Sequence, residues 1–367
     1  MTMTQTRLIL VGGFLGAGKT TLLWQSARRL SHGGRRVGLI TNDQAPELVD
    51  TAFLSRDGGR VAEVSGSCFC CNFDGLLGAM SELRNEAHAD VLIAEPVGSC
   101  TDLSATIVQP LKDRMVRELA ISPLSVVVDP ARLADILNGG TAGLHPSAAY
   151  IYRKQIEEAD IVVISKADLL APSELTVLKK RLAQVHPAAS VFSLSAKTGA
   201  GLDSWLDAVT TRTDAGRHLA EVDYDVYAEG EAVLGWLNAT VVLRGDQTDW
   251  KDFSERFLRG LSERFDGMTS AVGHVKVIVE VGDRFVTGNL VGKGNTLSIQ
   301  GPALPAPEAR ITINARVQMS PEKLEGIVRE LLVSTGEGRV TAEPVAWRCL
   351  SPGRPKPTHR YDHVVAC

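Results

Sequence analysis

Two short segments contain residue types whose spacing is typical of chemistry. The first, Gly13-Phe14-Leu15-Gly16-Ala17-Gly18-Lys19-Thr20, fits the pattern G-x-x-x-x-G-K-[ST]. The second, Cys68-Phe69-Cys70-Cys71, places three thiols within four residues. Glycines let backbone N–H groups turn toward phosphate oxygens, and thiolates are soft ligands for Zn²⁺, Cu⁺, Co²⁺ and iron. The two segments therefore predict a phosphate site and a metal site.

The phosphate loop follows an apolar run, Leu8–Val11, and precedes a helical pattern that begins at Lys19. Strand, loop and helix in this order distinguish a nucleotide-binding loop from a chance glycine-rich turn. Lys19 can reach the β- and γ-phosphates, and the hydroxyl of Thr20 can ligate Mg²⁺. The residues expected to bind the nucleotide phosphates are Gly13, Gly16, Ala17, Gly18, Lys19, Thr20 and Thr21.

Two carboxylates follow predicted strands at positions that suit a magnesium site. Glu95 ends the strand Val91–Ala94, where it could hold Mg²⁺ directly or through water, or position the attacking water. Its alternative is an ordinary charged residue at a sheet edge. Asp43 follows the strand Val37–Thr41 and is either a metal-site carboxylate or an Asx-turn or N-cap residue. Lys19 and Glu95 are the expected catalytic residues.

Two later segments match the loops with which GTPases recognise guanine. Ser165-Lys166-Ala167-Asp168 ends a buried strand, where GTPases usually have N-K-x-D. The Asp168 carboxylate would accept two hydrogen bonds that guanine offers and adenine does not, unless Asp168 only caps a helix. The stem of Lys166 would pack over the base, and Ser165 would tie the loops together in part. Ser195-Ala196-Lys197 follows the next strand, where a backbone N–H would contact guanine O6. This order of motifs favours GTP over ATP and disfavours a small-molecule kinase.

The cysteine cluster can present two or three sulfurs to one ion, because neighbouring cysteines have poor geometry for a disulfide. The alternatives are buried small hydrophobic residues and a redox role. Cys100 lies at the same strand-end edge and is either a fourth ligand or a packed thiol. The C-terminal tail also contains four metal-binding residue types, but without close ligand spacing, so a disordered or packed tail is favoured there: Cys349, His359, His363 and Cys367.

Composition limits the class of protein. The 367 residues suit one large and one small domain. A net charge of -4 and a pI of about 6.1 are unlike the basic composition of a nucleic-acid-binding protein. The polar start and the short apolar run Leu8–Val11 suit neither a signal sequence nor a membrane span. We therefore expect a cytoplasmic protein without nucleic-acid or membrane partners.

Strand-like and helical segments alternate through the first two thirds of the chain, including a helix predicted over Asp102–Leu119. This alternation predicts an α/β fold, a P-loop NTPase with a doubly wound, mostly parallel sheet, over residues 1–212. Residues 213–233 are interpreted as a linker with some local structure. Residues 234–349 follow the order β-α-β-β-α-β with an extra hairpin, which predicts a smaller α+β, ferredoxin-like domain. Residues 350–367 are expected to be an irregular tail.

Taken together, these motifs resemble the CobW-type GTPase family, which is related to the HypB, UreG and MeaB GTPases. The resemblance rests on GFLGAGKTTLL, CFCC, Glu95, SKAD and SAKTGAGL; it covers the whole G domain and, more loosely, the C-terminal domain. It implies GTP hydrolysis with Mg²⁺ and delivery of zinc, cobalt or iron to a client metalloprotein. The C-terminal domain would recognise the client or complete a homodimer.

The chain departs from the family pattern at three points. Ser67 replaces the glycine of G-C-x-C-C, the segment Glu95-Pro96-Val97-Gly98 lacks the hydroxyl residue of E-x-[ST]-G, and no histidine-rich stretch is present. These departures indicate a divergent subgroup. The alternative function is a GTPase gatekeeper that regulates the loading of a corrinoid or other cofactor, in which the cysteines sense metal or redox state without delivering metal.

Overall fold

The structure, a computed structural model, describes residues 5–44, 48–56, 60–292 and 296–366. Within these ranges the chain forms an eight-stranded sheet followed by a six-stranded sheet. The strands are β1 (Thr6–Gly12), β2 (Val37–Asn42), β3 (Arg60–Val64), β4 (Val91–Glu95), β5 (Leu119–Ile121), β6 (Ser125–Val128), β7 (Ile161–Ile164), β8 (Ser190–Ser193), β9 (Gly235–Asp249), β10 (Val272–Val281), β11 (Arg284–Val291), β12 (Thr296–Gln300), β13 (Pro305–Val317) and β14 (Val340–Leu350). The helices are α1 (Lys19–His32), α2 (Val49–Arg56), α3 (Phe73–Asn85), α4 (Gln109–Arg114), α5 (Pro130–Leu137), α6 (Pro146–Glu157), α7 (Pro172–Val185), α8 (Leu202–Thr211), α9 (Tyr224–Ala232), α10 (Trp250–Gly267) and α11 (Pro321–Ser334).

The first sheet is parallel, with the order β3-β2-β4-β1-β6-β7-β8 and β5 beside β1. Its central strands are apolar on both faces. Leu8 and Leu10 point into one hydrophobic core, and Ile9 and Val11 point into the other. Helices therefore cover both faces, which confirms the predicted doubly wound P-loop NTPase fold. In such a sheet, ligands bind at the carboxyl ends of the strands, where the phosphate loop, Glu95 and the cysteine loop are found.

The second sheet is antiparallel, with the order β12-β11-β10-β13-β9-β14. The four strands that flank its two helices lie in the order β14-β9-β13-β10, the ferredoxin-like arrangement that the sequence predicts, and the hairpin β11–β12 extends the sheet beside β10. Alternate side chains of β10, among them Val275, Val277 and Val279, pack with Phe253 and Phe257 of α10.

The opposite face of this sheet is polar but still buried. His274 and Lys276 on β10 lie beside Arg316 and Asn314 on β13, in direct register. Asn314 and Arg316 are also in register with Asn238 and Trp236 of β9. This face packs against the carboxyl edge of the parallel sheet, since the backbone N–H of Val49 donates to Asn314 Oδ1 at 2.8 Å. The two sheets therefore meet through polar groups.

The helix predicted over Asp102–Leu119 is wrong as a single element. Residues Ser104–Val108 form a π-helical turn, α4 ends at Arg114, and Leu119 already belongs to β5. Pro110 has no N–H to donate to a carbonyl four residues earlier, so a continuous α-helix is interrupted there. The chain then becomes extended because β5 pairs in parallel with β1.

Several elements are absent from the sequence-based prediction: α2, α5, β5 and β12. The segment interpreted as a linker contains α9, which packs on α6 and buries Tyr227 and Glu231. The tail after Leu350 has no regular secondary structure within the residues that the structure describes. In the same described ranges, no helix is both long and apolar enough to cross a membrane.

The core of the antiparallel sheet gives a stability prediction. Phe257 is 0% exposed and stacks on Phe253 with ring centroids 6.3 Å apart. Phe257→Ala should lower the free energy of unfolding by about 3–5 kcal/mol, because a large cavity replaces the ring. Urea denaturation followed by circular dichroism measures it. The control is Val333→Ala on α11, where the valine is 56% exposed; similar losses in both variants would contradict the described core.

Candidate functional site

The phosphate loop joins β1 to α1 and needs glycine at several positions. Gly13, Gly16 and Gly18 have φ values of +125°, +77° and +97°, a region that side-chain-bearing residues rarely adopt. A Cβ on Gly13 would lie 2.2 Å from the carbonyl oxygen of Val127. In the described structure, α1 begins at Lys19 without a side-chain cap from Gly18. The first N–H groups of α1 can therefore bind phosphate oxygens.

Lys19, Thr20 and Glu95 lie together in the buried interior beside this loop. Glu95 Oε1 is 3.6 Å from Lys19 Nζ, and the Thr20 hydroxyl donates to Glu95 Oε2 at 3.1 Å. Burial raises the pKa of Glu95 and lowers the pKa of Lys19, while their mutual attraction opposes both shifts. A hydroxyl and a carboxylate are hard oxygen ligands that fit Mg²⁺. Mg²⁺ held by Thr20 and Glu95 would neutralise phosphate charge.

The antiparallel sheet adds charges that the sequence analysis did not include. Lys276 Nζ lies 2.7 Å from both carboxylate oxygens of Asp50 and donates to the Thr20 hydroxyl at 3.2 Å. Arg316 Nη2 lies 2.6 Å from Asp43 Oδ2. Asp43, expected as a metal ligand or a turn residue, is thus buried in an ion pair; its metal role stays a prediction.

A cavity of 1090 Å³ lies between the phosphate-loop region and the antiparallel sheet. This is as large as typical ligand pockets of about 300–1,000 Å³. Glu95 lines one side of it, and His274, Lys276 and Arg316 line the other. Among the described residues, His274 Nδ1 is buried and has no hydrogen-bond partner. Burial and then the charge of Lys276 hold the pKa of His274 well below its usual range. The imidazole is therefore neutral at pH 7.

Ser165 does tie the base-side loop to the phosphate loop. Its hydroxyl oxygen lies 2.7 Å from the carbonyl oxygen of Ala17 and 3.0 Å from that of Val128. A hydroxyl has one proton and satisfies one of these acceptors at a time, whereas an asparagine amide has two. Lys166 Nζ lies 2.8 Å from Asp129 Oδ2. Asp129 therefore fixes the lysine whose stem is predicted to pack over the base.

The two predicted base-recognition segments are neighbours. Asp168 lies in a short 3-10 turn and is exposed, so its carboxylate can meet a ligand. The backbone N–H of Ala167 donates to the carbonyl oxygen of Leu194 at 3.1 Å, which places the turn beside Ser195, Ala196 and Lys197. Ser195 is buried and Lys197 is exposed. The arrangement suits a planar base held between the two loops, and the individual contacts remain predictions.

The thiols of Cys68, Cys70 and Cys71 all lie within 4.8 Å of one another. The Sγ atoms of Cys68 and Cys70 are 3.0 Å apart, and those of Cys70 and Cys71 are 3.8 Å apart. Cys100 hydrogen-bonds to Cys68 and Cys70 through its thiol and is 1% exposed. The fold therefore gathers the thiols of Cys68, Cys70 and Cys71 with Cys100 beside them. Thiolates are the preferred ligands of a soft metal ion.

The thiols differ in acidity. Hydrogen bonds from Cys100, then Cys70 and Cys71, hold the pKa of Cys68 well below its usual range. The corresponding contacts raise the pKa of Cys70 and of Cys100 well above it. The hydrogen bond with the Cys68 thiol, and then burial, raise the pKa of Cys71 to about 11. A bound metal would favour the thiolate form of its cysteine ligands and release their protons.

Asn42 links the cysteine loop to the end of β2. Its side-chain amide donates to the carbonyl oxygens of Val64 and Ser67, each at 2.8 Å, and its Oδ1 accepts from the N–H of Phe69 at 2.8 Å. Asn42 directly precedes Asp43 in the sequence. The cysteine loop is therefore held by the same segment that reaches the nucleotide cavity.

The C-terminal tail lies across the cysteine cluster. The N–H of Lys356 donates to Cys71 Sγ at 3.2 Å, and the N–H of Thr358 donates to the carbonyl oxygen of Cys70 at 2.7 Å. Arg360 Nε donates to Asp102 Oδ2 at 2.7 Å. The tail is thus packed, one of the two states that the sequence allows.

The tail residues considered as metal ligands are engaged elsewhere. The ring of His359 packs edge-on against Phe73 with centroids 5.1 Å apart. The Cys349 thiol donates to the carbonyl oxygen of Pro321 at 3.0 Å, and His363 pairs with Asp362. Cys367 lies outside the described residues. Within those residues, the cysteine cluster is the group found with metal-ligand geometry.

A buried carboxylate next to the cluster also escaped sequence reasoning. Glu231 on α9 accepts from the Ser99 hydroxyl through Oε1 at 2.5 Å, while its Oε2 has no partner within the described structure. Burial raises the pKa of Glu231 to about 8, and the Cys68 charge acts in the same direction. The weak periodicity of this segment gave no signal that could have identified Glu231.

The fold and the site define a P-loop nucleotide-binding protein with a thiol cluster at the carboxyl edge of its sheet. Residues 7–193 match the family model described as "CobW/HypB/UreG, nucleotide-binding domain". Since this match covers half of the chain, the chain belongs to the CobW/HypB/UreG family.

Among similar proteins, "Zinc chaperone CobW" of Pseudomonas aeruginosa is 27% identical over 51% of this chain and 56% of its own length. "Zinc-regulated GTPase metalloprotein activator 1" of Schizosaccharomyces pombe is 23% identical over 52% of this chain and 46% of its own length. The chain thus spans about half the length of these curated relatives. The crystal structure of HypB from Helicobacter pylori in complex with nickel is 19% identical, covers 60% of this chain and 92% of that chain, and has a TM-score of 0.42.

The tail contacts predict how the thiols are protected. Arg360→Ala removes the cation beside Asp102, which is 1% exposed. The free energy that holds the tail against the cysteine cluster should fall by about 1–2 kcal/mol. This is less than for a fully buried ion pair, because Arg360 is partly exposed. Alkylation of Cys70 and Cys71 by iodoacetamide, followed by peptide mass spectrometry, should accelerate roughly 5- to 30-fold.

The control is Arg354→Ala in the same tail, since Arg354 pairs with Asp225, which is mostly exposed. Its alkylation rate should stay near that of the wild type. Unchanged alkylation in Arg360→Ala would show that the tail does not protect the thiols.

Proposed function

We propose that the protein binds and hydrolyses GTP and carries a thiophilic metal ion that it delivers to a client metalloprotein. Family membership and the printed names of relatives, a zinc chaperone and a zinc-regulated GTPase, support this proposal. Zinc is the first expected metal and cobalt the second, because both accept thiolate ligands. A second copy of the chain and the client are the proposed macromolecular partners.

For hydrolysis, the loop N–H groups and Lys19 hold the phosphates, and the Lys19 ammonium stabilises charge that develops on the transferring phosphoryl group. Glu95 is placed to orient water or to help hold Mg²⁺ with Thr20. Asp168 selects guanine. The positions of Lys19, Thr20 and Glu95 at the cavity support the first two of these proposed roles.

For metal carriage, Cys68, Cys70 and Cys71 are the proposed ligands, and Cys100 is the proposed fourth. Its thiol already contacts those of Cys68 and Cys70. Four thiolates around one ion form a closed tetrahedral site, the usual geometry for zinc. Release of such an ion requires the site to change shape.

The observation that carries the proposal is the position of Asn42. It bonds to both sides of the cysteine loop and precedes Asp43, which lines the nucleotide cavity. A nucleotide that moves this segment must therefore disturb hydrogen bonds of the cysteine loop. Ordering and release of such segments by a γ-phosphate is a common mode of switching.

A second candidate function is a gatekeeper that senses metal or redox state and regulates cofactor loading. Burial favours it: Cys68 and Cys70 are each 3% exposed, and the tail crosses them. A sensor keeps its ion, whereas a chaperone releases it. Zinc-loaded protein mixed with GTP and a fluorescent zinc chelator separates the two, since only a chaperone should transfer about one zinc per chain on hydrolysis.

Nucleotide choice gives a direct prediction. Asp168→Asn should weaken GTP binding roughly 10- to 100-fold, because a donor amide replaces an acceptor opposite the guanine N–H groups. Xanthosine triphosphate, which carries an acceptor there, should bind this variant comparatively well. Calorimetric titration of GTP, ATP and xanthosine triphosphate is the measurement, with Asp207→Asn on α8 as control. Equal affinity of the wild type for GTP and ATP would refute the assignment.

Coupling between the sites gives a second prediction. Zinc should bind more tightly with a non-hydrolysable GTP analogue than with GDP, typically by about 5–150-fold, and by linkage zinc should tighten binding of the GTP analogue by the same factor. Competitive zinc titration in the two nucleotide states measures this factor. Identical zinc affinity in both states would rule out the coupled switch.

The same titration tests the ligand set. Cys70→Ser should abolish tight zinc binding, because a serine hydroxyl is a poor ligand for a soft site. Cys100→Ser should weaken binding if the site has four sulfurs and leave it unchanged if it has three. Cys349→Ser is the matched control, since Cys349 bonds to Pro321 away from the cluster.

A further inference from the structure

Lys276 reaches from the antiparallel sheet into the phosphate site of the parallel sheet. It lies on β10, more than two hundred residues after the phosphate loop, yet its Nζ donates to the Thr20 hydroxyl at 3.2 Å. The Lys276 side chain is 16% exposed and lines the cavity. A lysine that is this little exposed needs a partner, since lysine is rarely buried unless it is paired.

The present partner of Lys276 is Asp50, whose two oxygens both lie 2.7 Å from Nζ. Burial acts to lower the pKa of Lys276, but Asp50 and Glu95 outweigh it and raise that pKa. Two lysines, Lys19 and Lys276, thus face two carboxylates, Glu95 and Asp50. These four side chains together carry no net charge before a phosphate binds.

Binding of Mg²⁺ and nucleotide would upset this balance. The hydroxyl of Thr20 that Lys276 now contacts is the one expected to ligate Mg²⁺. Two cations cannot share that oxygen at hydrogen-bond distance, because their repulsion in a buried site is large. The ammonium must therefore move, and the acceptors that arrive with the metal are the oxygens of the terminal phosphate.

We propose that Lys276 is a nucleotide-binding residue supplied by the antiparallel sheet, which leaves Thr20 when Mg²⁺ and GTP bind and donates to the γ-phosphate. This inference rests on the proposed GTP binding. The same face of the sheet carries His274, whose buried Nδ1 has no partner within the described structure, so the cavity wall opposite the phosphate loop is polar and incompletely satisfied. GTP would thereby bridge the two sheets, and GDP would not.

The test compares affinities for GDP and for a non-hydrolysable GTP analogue, each labelled with a fluorescent ribose group, in the presence of Mg²⁺. Lys276→Met keeps most of the side-chain volume and removes the charge. It should lower affinity for the GTP analogue by roughly 10- to 100-fold and affinity for GDP by less than about 3-fold. Lys276→Arg should restore most of the difference. Lys323→Met, an exposed lysine of α11, is the control and should change neither affinity.

Asp50→Asn provides a second variant that leaves Lys276 in place. The neutral amide competes less well for the ammonium, so affinity for the GTP analogue should rise or hold while affinity for GDP stays unchanged. An equal loss of both affinities in Lys276→Met would overturn the proposal and leave Lys276 as a clamp between the sheets. Unchanged affinity of Lys276→Met for both nucleotides would also overturn the proposal. If the wild type binds neither nucleotide, the proposed function fails before this inference is reached.

Discussion

The ion pairs that Asp43 and Asp50 form with the antiparallel sheet are the interactions on which the rest of the architecture depends. Arg316 with Asp43 and Lys276 with Asp50 join the two sheets directly above the phosphate loop. Removing one partner of a buried pair typically costs about 3–5 kcal/mol, because the remaining charge is left uncompensated. Of the two pairs, Arg316 with Asp43 is the more deeply buried, so its loss should weaken the contact between the sheets most.

This constraint explains why a nucleotide site and a thiol site can influence one another. The segment that offers Asp43 to Arg316 also includes Asn42, which holds the cysteine loop through three hydrogen bonds. This segment, which has polar contacts on both sides, is one route by which a displacement at the phosphates can reach the cysteine loop. The two sites thus share one hydrogen-bonded segment, and the coupling experiment measures how strongly one site affects the other.

The local motifs could be predicted from sequence because the residues of each motif are adjacent in the chain. The glycines of the phosphate loop have the positive φ values that the motif requires, and the cysteines at 68, 70 and 71 meet within one loop. The parallel sheet followed from apolar runs that are buried on both faces. Cys100 lies near the cluster because it follows a strand that ends at the same edge, and its role as a ligand stays a prediction.

The contribution of the antiparallel sheet could not be predicted in the same way. In β10 and β13, polar residues at alternate positions, such as Lys276 and Arg316, have the pattern of a strand with one face in water. That pattern does not distinguish a solvated face from a face buried against another polar surface. The helix over Asp102–Leu119 failed for a related reason, since the pairing of β5 with β1 joins residues far apart in the sequence.

The tail has a mechanical consequence for the molecule. The polypeptide passes from the first sheet to the second after α9, and it returns after β14 to lie across Cys70 and Asp102. The two bodies are thus connected at two separated points, so a free swing about a single flexible joint is unavailable to them.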